Sequence, residues 1–124
     1  MVSGIEHVAI AAPDPGKLAA WYVETLGFAI NYQSARTTFV KAPDGSMIEI
    51  LTSEGEHTPQ TMKDPGFRHL ALTVTDFDAV YEQFKAKGVN FVTEATNAKG
   101  VKTVFFTDPE GNYLHIIQRE TPLP

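Results

Sequence analysis

Cysteine is absent from the 124 residues, which excludes a disulfide framework, thiolate metal ligands and a cysteine nucleophile. No apolar run approaches the ~20 residues of a membrane-spanning helix. Nor does a basic segment followed by an apolar stretch open the chain, which predicts no secretory signal. Basic residues are scarce: 10 Lys and Arg stand against 15 Asp and Glu, for a net charge of −5. They do not gather either, with Lys85 and Lys87, then Lys99 and Lys102 beyond, as the densest group. Nucleic-acid binding needs a concentrated positive face, so no such partner is expected. A glycine-rich nucleotide loop and a G-x-S-x-G elbow are both missing. The expectation is a soluble cytoplasmic protein without a membrane or nucleic-acid partner.

What is present is an ordinary globular balance, 43% hydrophobic and 20% charged, at a length suited to one domain with its own core. The chain also repeats itself. His7-Val8-Ala9-Ile10 matches His69-Leu70-Ala71-Leu72, and Asp14 matches Asp76 at the same offset. Thr38 to Gly45 matches Val104 to Gly111, and Met47-Ile48-Glu49-Ile50 matches Tyr113-Leu114-His115-Ile116. The second copy is a few residues longer ahead of its last strands.

Each copy reads as strand, helix and three strands. Ile5 to Ala12 is strand-like. Asp14 suits an N-cap and Pro15 the first helical position. Leu18, Trp21, Tyr22, Thr25 and Leu26 follow helical spacing, and Gly27 ends the helix. Strands are expected at 28–33, 37–41 and 47–51, with Pro43-Asp44-Gly45 as a turn. The second copy gives a strand at 69–75, a helical stripe of Phe77, Val80, Tyr81 and Phe84 ending at Gly88, and strands at 90–93, 102–107 and 113–118. A polar linker, 52–66, joins the copies.

Strand faces alternate with period two. In four strands one face is purely aliphatic: Val8 and Ile10; Ile48 and Ile50; Leu70, Leu72 and Val74; Leu114 and Ile116. The opposite faces carry His7, Glu49, His69 and His115. The repeat makes His7 equivalent to His69 and Glu49 equivalent to His115. A curved sheet would bring all four onto one concave surface. Three imidazoles and a carboxylate suit a divalent transition metal, and an unpartnered carboxylate on a sheet face is costly.

His7-Val8-Ala9-Ile10, Trp21-Tyr22 followed by Leu26-Gly27-Phe28, Phe67-Arg68-His69-Leu70-Ala71-Leu72 and Asp108-Pro109-Glu110-Gly111-Asn112 together resemble the vicinal oxygen chelate superfamily of glyoxalases, bleomycin and fosfomycin resistance proteins and extradiol dioxygenases. The resemblance spans nearly the whole chain. It implies an α+β fold in which two βαβββ modules form a curved, half-open barrel: a single domain with modules at about 4–51 and 67–119. Its usual metal ligands fall on His7, Glu49, His69 and His115, the residues reached from strand faces. The implied cofactor is a divalent ion, whether zinc, nickel, iron, manganese or cobalt, chelated by two neighbouring substrate oxygens. The implied chemistry is lyase or isomerase work through an enolate-like intermediate, with Glu49 as the catalytic base. A ring-cleaving or other dioxygenase is one alternative. The other is a bleomycin-resistance-type module that sequesters a ligand without catalysis, for which an acidic protein and a cationic drug are matched.

The chain departs from the family pattern at His115, where the lyase and isomerase branches usually carry glutamate. With one carboxylate instead of two the site stays net positive, which strengthens Lewis acidity, and Glu49 is left as the only carboxylate ligand able to act as a base. Arg36 is a candidate for binding an anionic substrate group. Thr73 and Tyr113 share cleft faces and are candidates for substrate contact, as are Phe39 and Phe105, with Tyr32 beside them, as pocket lining. Arg68 is expected to point away from His69. His57 is expected in a solvated loop, and Trp21 and Tyr22 in the core. Exposed sheet edges and family habit imply a homodimer, with modules pairing either within a chain or between chains.

Overall fold

The computed structural model describes residues 1–124. The chain divides into two compact units, Met1–His57 and Thr58–Pro124, each an α+β module of the βαβββ kind built on a mixed sheet.

The first unit runs β1 (His7–Ala12), α1 (Pro15–Leu26), β2 (Ala29–Gln33), β3 (Thr37–Lys41) and β4 (Met47–Thr52). The sheet order is β1-β4-β3-β2. β1 lies parallel to β4, and the other pairings are antiparallel. A parallel pair needs a crossover, and α1 begins it. Asp14 starts the helix as anticipated, its carboxylate accepting from the Lys17 amide at 3.1 Å. Gly27 stops it in a left-handed conformation, φ 80°, where a Cβ would be strained. Leu18, Ala19 and Tyr22 on α1 are buried with Val40, Ile48 and Ile50 from β3 and β4.

The second unit runs β5 (Leu70–Thr73), α2 (Phe77–Ala86), β6 (Asn90–Phe91), β7 (Thr96–Ala98), β8 (Val101–Thr107) and β9 (Tyr113–Arg119). Its order is β5-β9-β8-β6, with β7 also on β8, and again the first pair is parallel. Asp76 caps α2 as Asp14 caps α1. Phe84 packs edge-on to Phe106 at 5.2 Å, over buried Val104, Leu114 and Ile116.

Three expectations change. The strand expected at 90–93 stops at Phe91, and the extra length of the second copy is a hairpin, β7 turning into β8 through Lys99 and Gly100. Both turn residues have positive φ, 53° and 76°, the twist a two-residue hairpin needs. Neither β1 nor β5 reaches back as far as expected: Ile5 and His69 precede their strands. The aliphatic faces of β1 and β5 are also less covered than those of β4 and β9. Val8 is 39% exposed, while Ile50 and Leu114 are fully buried. β1 and β5 are edge strands, whereas β4 and β9 are flanked on both sides.

Candidate functional site: two ligand pairs

In the first unit, the parallel register sets Ala9 opposite Glu49. His7, two residues back on the same face, therefore reaches Glu49 diagonally, and its Nε2 lies 3.6 Å from Glu49 Oε1. Each side chain is held from behind. His7 Nδ1 is 2.9 Å from Glu6 Oε1; a carboxylate only accepts, so the proton between them sits on Nδ1 and the ring is oriented with Nε2 forward. Thr37 Oγ1 donates to Glu49 Oε2 at 2.9 Å, leaving Oε1 facing His7. Phe39, directly opposite Glu49 in the β3–β4 ladder, stacks edge-on against His7 at 5.2 Å and against Tyr32 at 6.0 Å.

The second unit repeats the arrangement with different chemistry. Ala71 is opposite His115, and His69, two residues back, meets it with ring centroids 4.6 Å apart. Phe105, opposite His115 in the β8–β9 ladder, packs on it at 4.5 Å and on His69 at 5.1 Å. His115 is buried, and its Nδ1 has no hydrogen-bond partner. Burial pushes its pKa down to about 4, helped by His69 and Arg119. The ring is therefore neutral near pH 7, which is the form that donates a lone pair to a metal. Buried polar atoms are almost always satisfied, so an orphaned imidazole nitrogen beside a second imidazole is a fit to a cation. No group of three or more His, Asp or Glu side chains gathers around a point; the structure shows two pairs, His7 with Glu49 and His69 with His115.

The remaining candidates are placed as follows. Arg36 is exposed just ahead of β3 and lines a cavity with Leu51, Thr52 and Glu54. Thr73 is exposed, opposite Ile117 and one same-face step beyond His115. Tyr113 lies on the His115 face, and its hydroxyl donates to the Gln60 carbonyl at 3.2 Å, fastening the linker. Arg68 fans its guanidinium onto the carbonyls of Thr61, Pro65 and Gly66 and onto the Gln60 side chain, an architectural clamp. His57 is exposed, Tyr22 is core and Trp21 is only half-buried. Sequence reading missed Glu6 and Thr37. Glu6 was visible as the acid beside His7; Thr37 needed the cross-strand register, which no pattern in the sequence states.

The match to known proteins agrees with this architecture. Residues 4–116 match the Glyoxalase/Bleomycin resistance protein/Dioxygenase superfamily, and the chain belongs to that family. It is 29% identical to YwkD of Bacillus subtilis (strain 168), over 96% of this chain and 99% of that protein. It is 29% identical to a probable lactoylglutathione lyase of Vibrio parahaemolyticus serotype O3:K6 (strain RIMD 2210633), over 94% and 91%. Among solved structures, Oxidase ChaP-H2 superposes with TM-score 0.77 at 26% identity, covering 96% of this chain and 95% of that one. No helix is long and apolar enough to cross a membrane.

Proposed function

We propose that the protein is a metal-dependent enzyme whose divalent ion, zinc, nickel, iron, manganese or cobalt, takes its ligands from His7, Glu49, His69 and His115. The observation that carries this reading is the His7–Glu49 pair, with Nε2 and Oε1 facing each other at 3.6 Å while Glu6 and Thr37 occupy their other atoms. Two lone-pair atoms fixed toward a common point are arranged for a cation. The orphaned Nδ1 of His115 supports the second pair as its counterpart.

The ion supplies Lewis-acid stabilisation for charge developing on two neighbouring substrate oxygens. Glu49 is the base: once its Oε1 lets go of the ion, that oxygen takes the substrate proton while Thr37 keeps Oε2. Phe39 and Phe105 wall the two pairs and limit water beside the reacting groups. Arg36 and Thr73 contact the substrate, and Tyr113 shapes its site through the linker it fastens. The reaction class is lyase or isomerase, a reading supported by the relative named as a probable lactoylglutathione lyase. The protein acts in the cytoplasm, with a homodimer as the functional assembly.

Elemental analysis of protein purified without an affinity tag tests this, beside His7→Ala and His115→Glu. Near-stoichiometric metal that disappears in His7→Ala is the expected result. The likeness to Oxidase ChaP-H2 favours oxygen-using chemistry as the second reading; bound iron selects it, and nickel or zinc selects the first. Failure to bind any of these ions overturns both and leaves a ligand-sequestering module.

A further inference from the structure

Asp44 is the only aspartate or asparagine in the chain that is followed by glycine. That pair is open to a reaction of the backbone on its own side chain. The glycine amide nitrogen attacks the side-chain carboxyl carbon. An N–C bond forms, and water leaves, made from the carboxyl OH and the amide hydrogen. Water then opens the five-membered succinimide at either carbonyl. One opening restores aspartate; the other leaves isoaspartate, with one methylene more in the main chain. Glycine favours the attack because no Cβ shields its nitrogen.

The turn between β3 and β4 requires this pair. Gly45 sits at φ 92°, where a side chain is strained. Asp44 Oδ1 accepts from the Ser46 amide at 3.0 Å and from the Ser46 hydroxyl at 2.6 Å, the local turn that a short carboxylate side chain makes well. The same bonds oppose the reaction. The Gly45 amide, which is the attacking group, donates to the Ala42 carbonyl at 2.9 Å, and the Ala42 amide donates to the Ser46 carbonyl at 2.9 Å. The Ser46 hydroxyl, and then its amide, hold the Asp44 carboxyl below its ordinary pKa, so the acid form, whose OH can leave, is scarcer. Asp44, Gly45 and Ser46 are exposed; hydrogen bonding rather than burial shields them.

We propose that Asp44 is a latent isoaspartate site, held unreactive by its bonds to Ser46 and by the Gly45–Ala42 bond, and released when the β3–β4 hairpin opens. The register of that hairpin sets Phe39 opposite Glu49 and brings Thr37 to its carboxylate, so an added methylene in the turn disturbs both.

Warm incubation at mildly acidic pH, folded and in guanidinium, tests this. Trypsin isolates residues 42–63, in which Asp44 is the only aspartate and asparagine is absent. A product of unchanged mass that elutes apart and resists cleavage before aspartate is isoaspartate at that one position. It is expected to form about tenfold more slowly in the folded protein than in guanidinium, the open hairpin being a minor state. Ser46→Ala should speed formation several-fold in the folded protein and leave the guanidinium rate near the parent's, while Ser46→Thr, which keeps the hydroxyl, should behave as the parent. After refolding, isomerised 15N-labelled protein should show a second set of Thr37, Phe39 and Glu49 amide signals. No such product in guanidinium overturns the site. Equal folded and unfolded rates, or a Ser46→Ala rate equal to the parent's, overturn the protection, and a single set of amide signals overturns the link to Glu49.

Discussion

Thr37 holds Glu49 by one oxygen: its Oγ1 donates to Oε2 at 2.9 Å, and Oε1 is left 3.6 Å from His7 Nε2. The same hydroxyl also reaches the Ile50 carbonyl at 3.3 Å, so its position is fixed by the strand as well as by the carboxylate. Partners that orient a metal ligand are typically worth about 10–100-fold in affinity. Thr37→Val keeps the shape and removes the donor. It is expected to weaken zinc binding by about tenfold, while Thr37→Ser restores most of it. Competition against a chelating dye reads both. Equal affinity in Thr37→Val and the parent would show that Glu49 needs no such holder.

The pairing of His7 with Glu49, and of His69 with His115, was largely legible in the sequence. The repeat placed the four residues on corresponding faces, and the parallel first-to-last pairing in each module brings each two together. Helix limits were legible too, because Asp14, Pro15 and Gly27 act through local chemistry. Three things were not. Alternation shows which side chains share a face but not whether the strand lies at an edge, so the exposure of Val8 was invisible. The β7–β8 turn hides because Lys99, at φ 53°, stands where asparagine or glycine is the usual signal. Thr37 as the partner of Glu49 depends on register between strands, which the residues specify only through the completed sheet.

Edge and centre predict different costs for similar truncations. Ile50 is fully buried on β4, between β1 and β3, and Val8 on β1 is 39% exposed. Ile50→Ala is expected to cost about 2–5 kcal/mol, the range for a buried aliphatic cut back to alanine. Val8→Ala should cost below about 1 kcal/mol, as for other partly exposed positions. Urea denaturation of the two variants measures the difference. Comparable losses would mean that Val8 is covered in the protein in solution, as it would be in a dimer formed through the β1 edge.

Arg68 organises the linker ahead of β5. It donates to three backbone carbonyls and one side-chain amide, and Tyr113 adds a further bond to Gln60. Lys63 lies inside the segment so held. Loops are cut by proteases in proportion to how often they open. Arg68→Met should therefore speed tryptic cleavage after Lys63 several-fold, and Tyr113→Phe should do so less, since it removes one bond. Mass analysis of timed digests identifies the cut. Unchanged cleavage in Arg68→Met would show that the linker's order does not depend on the clamp.

His115 ties stability to pH. Its folded pKa of about 4 lies below the ordinary histidine value of 6.5, with burial as the leading cause. Between those values the unfolded chain takes up a proton that the folded chain does not. Stability is therefore highest above the unfolded pKa and falls as pH drops through the window, levelling once the folded ring is also protonated. The slope is bounded by about 1.4 kcal/mol per pH unit for one group and is smaller wherever water reaches the ring. Many carboxylates also titrate at the acid end, so the informative quantity is the parent minus His115→Gln. Measured by thermal denaturation with chelator present, that difference should shift against the parent as pH falls from neutral toward the folded pKa. A difference that stays constant would mean the ring protonates as freely folded as unfolded, and the buried, neutral imidazole would have to be abandoned.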